Sequence, residues 1–171
     1  MTIKRLTLIL GGARSGKSAF AERLVEAAST TPLYIATAHA GDDEMTARIE
    51  RHQKRRGPTW RTIEAPLNLP ETITSYAKSN CVVLVDCLTL WVSNLMMAER
   101  NIADETSHLS SALQTCEGAV VLVSNEVGLG IVPNNNLARA FRDHVGNLHQ
   151  EIARIADSAY LVTAGLPLAL K

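Results

Sequence analysis

Residues 11–18 read Gly11-Gly12-Ala13-Arg14-Ser15-Gly16-Lys17-Ser18, a complete G-x-x-x-x-G-K-S segment directly after the apolar run Leu6-Thr7-Leu8-Ile9-Leu10. The spacing has a mechanical reason. Glycines let backbone N–H groups turn inward around a polyphosphate without a Cβ in the way. Lys17 then reaches the β/γ oxygens, and the Ser18 hydroxyl is placed to ligate Mg²⁺. Residues 17–28 suit a helix with Phe20, Leu24 and Val25 on one face. A helix starting there also turns its positive end toward the phosphates. Strand before and helix after is the context this motif requires, so the stretch predicts a nucleoside triphosphate site.

Outward from this loop, apolar runs recur at Leu33-Tyr34-Ile35-Ala36, Val82-Val83-Leu84-Val85, Ala119-Val120-Val121-Leu122-Val123 and Ala159-Tyr160-Leu161-Val162. Continuous rather than alternating apolar character means burial on both faces, the mark of parallel strands. Helical patterns separate the runs at 43–55, 69–78, 88–100, 105–117 and 137–155, and residues 60–63 suit an edge strand. The expected fold is therefore α/β: a mostly parallel P-loop NTPase sheet flanked by helices, in a single domain over residues 1–171. Ligands of such sheets bind at the carboxyl ends of the strands. That edge would collect the loops after Leu10, Ala36, Val85 and Val123.

The composition narrows the class. Apolar residues make up 46% and aromatics 4%, so the core is aliphatic. Lys plus Arg equals Asp plus Glu at 17 each, which gives no basic excess for nucleic acid or an anionic membrane. No apolar stretch approaches the ~20 residues of a membrane span, and no leader pattern precedes the first strand. Cys81, Cys87 and Cys116 lack close metal-ligand spacing and read as reduced small hydrophobes. A cytoplasmic protein is expected.

Several polar residues at the strand ends carry two readings each. Asp86 ends an apolar strand as a Walker-B acid does, beside Ser18 on Mg²⁺; it also suits a cap for the following helix. Asp42, Asp43 and Glu44 suit a helix start. Beyond them Arg48, Arg51, His52, Lys54, Arg55 and Arg56 form a cationic segment in which Arg48 and His52 share a face. That face would hold a second phosphate group with the imidazole as nucleophile, or it is simply a solvated basic helix. Glu126 either reaches a substrate hydroxyl or a metal-bound water, or pairs with an arginine. Arg139 and Arg142 suit solvent as well as function, and Glu64 is placed to accept hydrogen bonds from a purine or ribose.

Together these segments resemble the bifunctional adenosylcobinamide kinase / adenosylcobinamide-phosphate guanylyltransferase family of cobalamin biosynthesis. The resemblance runs over essentially the whole chain. It rests on the phosphate loop, on Tyr34-Ile35-Ala36-Thr37-Ala38, on Asp42-Asp43-Glu44-Met45 with Arg48-Ile49 and His52, and on Trp60-Arg61-Thr62 with Glu64. The most specific block is Asn125-Glu126-Val127-Gly128-Leu129-Gly130-Ile131-Val132-Pro133 through Leu137-Ala138-Arg139.

The resemblance implies two reactions. Adenosylcobinamide is phosphorylated by ATP or GTP, and GMP from GTP is then placed on that phosphate. It also implies a guanylyl-histidine at His52. Nucleotide contacts are implied at Gly11, Gly12, Ala13, Arg14, Ser15, Gly16, Lys17, Ser18, Ala36, Thr37, Ala38, Gln53, Lys54, Arg55, Arg56, Glu64 and Asp86. Mg²⁺ would lie on Ser18 and Asp86, and the family is trimeric. Arg51 stands where some relatives carry a second histidine, and Leu129 where methionine is common. Two rivals share the motif: an enzyme with only one of the two activities, and a GTPase-type switch. The switch class reads guanine with N-K-x-D, whereas the strand end here is Ser124-Asn125-Glu126-Val127.

Overall fold

The computed structural model describes residues 3–38 and 56–171. Strands β1 (Leu6–Gly11), β2 (Leu33–Ala36), β3 (Arg61–Glu64), β4 (Val82–Asp86), β5 (Ala119–Asn125), β6 (Ser158–Thr163) and β7 (Leu166–Ala169) form one sheet. Their order is β3-β2-β4-β5-β1-β6-β7. All pairs are parallel except β6 with β7. The described helices are α1 (Lys17–Glu26), α2 (Leu69–Tyr76), α3 (Leu88–Met97), α4 (Ile102–Thr115) and α5 (Asn136–Ile155).

The apolar runs are continuous because both faces of the sheet are covered. Ile9, Leu84, Val121 and Val123 pack with Phe20, Ala21, Leu24 and Val25 of α1. Leu8, Val83, Val85, Val120 and Leu122 point the other way, into Leu69 and Ile73 of α2, Trp91 and Leu95 of α3, Leu109 and Leu113 of α4, and Leu148 and Ile152 of α5. Adjacent residues thus enter opposite cores, as the two-residue period of a strand requires.

Among the described residues the expected elements appear with shifted ends, and the helix expected over 43–55 lies outside those residues. Helix α4 begins at Ile102 rather than at 105, because the Asn101 side chain accepts from the amides of Ala103 and Asp104 and caps it there. The expected edge strand is β3, one residue later than 60–63, and it does lie at the sheet edge. Strand β7 was not expected. It returns from β6 through the two-residue turn Ala164-Gly165, both at positive φ (51° and 78°). That is the geometry of a tight hairpin turn, normally signalled by Asn-Gly or Asp-Gly, and Ala-Gly is a faint version of it. Pro167 fits because β7 is an edge strand. None of the described helices is long and apolar enough to cross a membrane.

Candidate active site at the carboxyl edge of the sheet

The phosphate loop leaves β1 at Gly11 and enters α1 at Lys17. Arg14 (φ 57°) and Gly16 (φ 93°) take the left-handed conformation that turns the chain back on itself. The Ser15 amide donates to the Gly12 carbonyl at 3.2 Å, and Phe20 closes the first helical turn onto Gly16 at 3.0 Å. A Cβ on Gly11 would lie 2.5 Å from Ser15 Oγ and 2.6 Å from the Val162 carbonyl, so only glycine fits there. Gly12, Ala13 and Arg14 are exposed, while Ser15 and Lys17 are buried. Lys17 Nζ donates back to the Gly12 carbonyl at 3.2 Å. The Ser15 hydroxyl, by contrast, has no hydrogen-bond partner among the described residues. A buried hydroxyl left over in a loop of inward-turned backbone is what an anion cradle requires. Ser18, half-buried, sits one residue inside the helix start.

Asp86 ends β4, in register with Ala36 of β2 and Val123 of β5. Helix α3 is capped at Cys87 without a side-chain hydrogen bond, so the helix-cap reading of Asp86 is not realised. Thr37 lies fully buried behind Ala36. Its hydroxyl donates to the Cys87 carbonyl at 2.7 Å and accepts from the Cys87 amide at 2.8 Å. Asn94 Nδ2 holds the Thr37 carbonyl at 2.8 Å. Thr37 therefore clamps β2 to β4, and Ala36 and Ala38, both half-buried, flank that clamp. Glu64 is exposed at the end of β3, in register with Ala36.

Arg56 does not behave as part of a solvated basic helix. It is buried, its guanidinium lies 3.4 Å from the Tyr34 ring centroid, and its Nη1 has no hydrogen-bond partner among the described residues. Burial, and then the charge of Asp86, push the Tyr34 hydroxyl well above its usual range. His52, Gln53, Lys54 and Arg55 lie outside the described residues, as do Asp42, Asp43 and Glu44.

Glu126 pairs with no arginine among the described residues. Its carboxylate accepts from the amides of Gly128 at 2.6 Å and Leu129 at 3.2 Å and folds the loop after β5 onto itself. Arg139 Nη1 donates to the Pro133 carbonyl at 2.9 Å and also binds Asn136, so it ties the far end of the same loop. Arg142 pairs with Asp143 at 3.1 Å. All three cysteines are free. Burial, with Asp86 adding to it, pushes the Cys87 thiol up to about 11, which keeps it protonated and unreactive.

Three features of this edge escaped sequence reasoning. The Gly165 amide donates to the Ser15 carbonyl at 2.8 Å and so ties the β6–β7 turn to the phosphate loop. Asn125 Nδ2 donates to Thr89 Oγ1 at 2.9 Å. His149 of α5 meets Ser124 Oγ through Nε2 at 2.7 Å. Only the positive-φ glycine of the first had a local signal; the others join residues far apart in the chain.

The chain is similar to known proteins in sequence and in fold. The bifunctional adenosylcobalamin biosynthesis protein CobP of Pseudomonas aeruginosa is 48% identical over 166 residues, covering 96% of this chain and 96% of that one. Among solved structures, an ATPase of the type III secretion system of pathogenic bacteria superposes with a TM-score of 0.57 at 13% identity. The match takes in 98% of this chain and spans 57% of that one. The RadB recombinase superposes at 0.53 and 13% identity over 94% of this chain and 75% of its own. At that identity the likeness shows the fold, a P-loop NTPase of RecA type. The model of the family described as cobinamide kinase / cobinamide phosphate guanyltransferase matches residues 7–170, and the chain belongs to that family.

Proposed function

We propose that this chain runs both activities of its family at one nucleotide site. It phosphorylates adenosylcobinamide with ATP or GTP, then moves GMP from GTP onto that phosphate through a guanylyl group carried on His52, giving adenosylcobinamide-GDP. The observation that carries this reading is the phosphate loop, with its buried lysine and left-over Ser15 hydroxyl, on the same sheet edge as Asp86.

Phosphoryl and nucleotidyl transfer ask for positioning and charge neutralisation more than for covalent machinery. Lys17 and the loop amides supply both toward the β and γ phosphates. Mg²⁺ would be held by the Ser18 hydroxyl and the Asp86 carboxylate, with nucleotide oxygens and water completing its shell. When bound it neutralises phosphate charge. Buried Arg56 and exposed Glu64 serve the nucleotide beside Ala36.

In the second reaction a neutral His52 ring nitrogen attacks the α-phosphorus. The bond to the β-phosphate oxygen breaks and pyrophosphate leaves. A phosphate oxygen of adenosylcobinamide phosphate then attacks the same phosphorus, and the P–N bond breaks to restore the ring. The enzyme is a single-domain cytoplasmic protein and works as a homotrimer. The exposed Leu129, Ile131 and Val132 offer contact surface for such an assembly.

Incubation with α-labelled and γ-labelled GTP in parallel tests the reading. The expected result is acid-labile, base-stable label from the α position only, lost in His52→Ala. Protein that phosphorylates cobinamide but never takes the α label would overturn the guanylyl-histidine. Histidine chemistry also predicts that labelling falls below pH ~6, because an unperturbed histidine side chain protonates at about 6.5 and a protonated ring cannot attack. A flat profile down to pH 5 would count against it.

A further inference from the structure

We propose that Asn125 is a catalytic residue of the phosphoryl-transfer step, contacting the terminal phosphoryl group, and that Thr89 is the positioning residue that orients its amide. The inference rests on the reading that the triphosphate occupies the phosphate loop.

The sheet order places β5 between β4, which ends in Asp86, and β1, which opens into the phosphate loop. A terminal phosphate held between Lys17 and the Asp86 side of the site would lie over the last residue of β5. That residue is Asn125, whose Cα partner across the ladder is Gly11. The next amide, of Glu126, donates to the Gly11 carbonyl at 3.1 Å, so strand end and loop are bonded together. Strand alternation settles the face. Val121 and Val123 enter the core beneath α1, and Asn125, two residues on, continues that row toward the loop.

An amide at this point needs explaining. Asn125 is half-buried at the tip of a strand whose first five residues are apolar. One of its N–H groups is fixed on Thr89 Oγ1 at 2.9 Å. Thr89 is itself buried in the first turn of α3, and its hydroxyl lies 3.1 Å from Cys87 Sγ, the residue after Asp86. The Asn125 side chain is thus referenced to the strand end that carries the acid. An amide has two N–H groups and a carbonyl. With one N–H held by Thr89, the second is free to donate to a terminal phosphoryl oxygen.

In the step, the substrate hydroxyl oxygen bonds to the terminal phosphorus as the bond to the bridging oxygen breaks. The electron pair leaves with the nucleoside diphosphate, and the hydroxyl proton passes to water. The Asn125 N–H stabilises charge on the equatorial oxygens, a fixed dipole aimed where charge develops. In guanylyl transfer the bond that breaks lies at the α-phosphorus, so little charge develops on the terminal phosphoryl oxygens that this N–H meets.

The two steps are assayed separately: cobinamide phosphorylation with γ-labelled nucleotide, and GMP transfer onto supplied cobinamide phosphate. Asn125→Ala and the isosteric Asn125→Asp should each lower kcat of phosphorylation about 100-fold. Nucleotide KM and the GMP-transfer rate should stay within about threefold of wild type. Thr89→Val should show the same selective loss, about 10-fold, and Thr89→Ser should restore the rate. Full phosphorylation by either Asn125 variant would overturn the proposal, as would a proportional fall in both steps. Nucleotide binding by Lys17→Ala separates the two ideas. If that variant binds GTP like wild type, the phosphate-loop reading itself fails. If it loses binding while Asn125→Ala keeps its kcat, only the role of Asn125 fails.

Discussion

Gly165 and Ser15, separated by most of the chain, are joined by a 2.8 Å hydrogen bond from the Gly165 amide to the Ser15 carbonyl. A Cβ on neighbouring Gly16 would stand 3.0 Å from the Gly165 Cα. The hairpin turn at the C-terminal edge of the sheet is therefore part of the wall that holds the phosphate loop in shape. Loop and turn both rely on left-handed backbone, at Gly16 and at Ala164-Gly165.

Gly165→Ala tests this coupling. At φ 78° a Cβ is strained even though the space around it is open, and the cost is about 1 kcal/mol. The turn then shifts and releases Ser15. The expected result is slightly lower stability in urea together with nucleotide affinity weakened several-fold. Affinity equal to wild type by calorimetry would show that the turn does not support the loop.

Gly11 and Gly12 sit side by side in the motif but differ in what surrounds them. The added methyl of Gly11→Ala meets the Val162 carbonyl of β6 at 2.6 Å, and backbone cannot rotate away. Overpacking of this kind costs about 1–3 kcal/mol. At Gly12 nothing lies within 4 Å of the same methyl, so Gly12→Ala should leave the denaturation midpoint almost unchanged. Equal midpoints for the two variants would contradict the packing described.

His149 gives the fold an acid sensitivity. Burial lowers its imidazole from 6.5 to about 4, against an opposing pull from Glu126. In the folded state it stays neutral while the unfolded chain takes up a proton. Its contribution is thus unchanged above pH 6.5, turns against the fold as pH falls from 6.5 toward 4, and levels off below. With the ring partly open to solvent, the loss across that window is about 2 kcal/mol. His149→Gln, which still reaches Ser124, should show a flatter fall in stability from pH 7 to 4.5. Parallel curves for the two proteins would assign the acid sensitivity to other groups.

How far the sequence reached depends on the range of each signal. The phosphate loop was legible because its glycines, lysine and serine act within eight consecutive residues. The paired strands of the sheet interior were legible because burial on both faces leaves continuous apolar runs. Strand β7 was missed because Leu166-Pro167-Leu168-Ala169 is exposed and short, and its Ala-Gly turn lacks the usual asparagine. Asp86 suits two roles by sequence, and the structure puts Cys87 rather than Asp86 at the N-cap of α3. Arg56 stands in a basic run of sequence, yet it is buried against Tyr34, which no charge pattern reveals.

Short stretches of the chain carry the local conformations: where it turns around a phosphate, which segments run as buried strands, and which face of α1 is apolar. These follow from backbone freedom and side-chain period over a few residues. Long-range packing sets the rest: β5 lies between the loop and Asp86, Thr89 holds Asn125 from 36 positions away, and Gly165 braces Ser15. Such neighbours are chosen by packing two cores against opposite faces of one sheet. That choice minimises exposed apolar surface over the whole chain and leaves no trace in any short window of it.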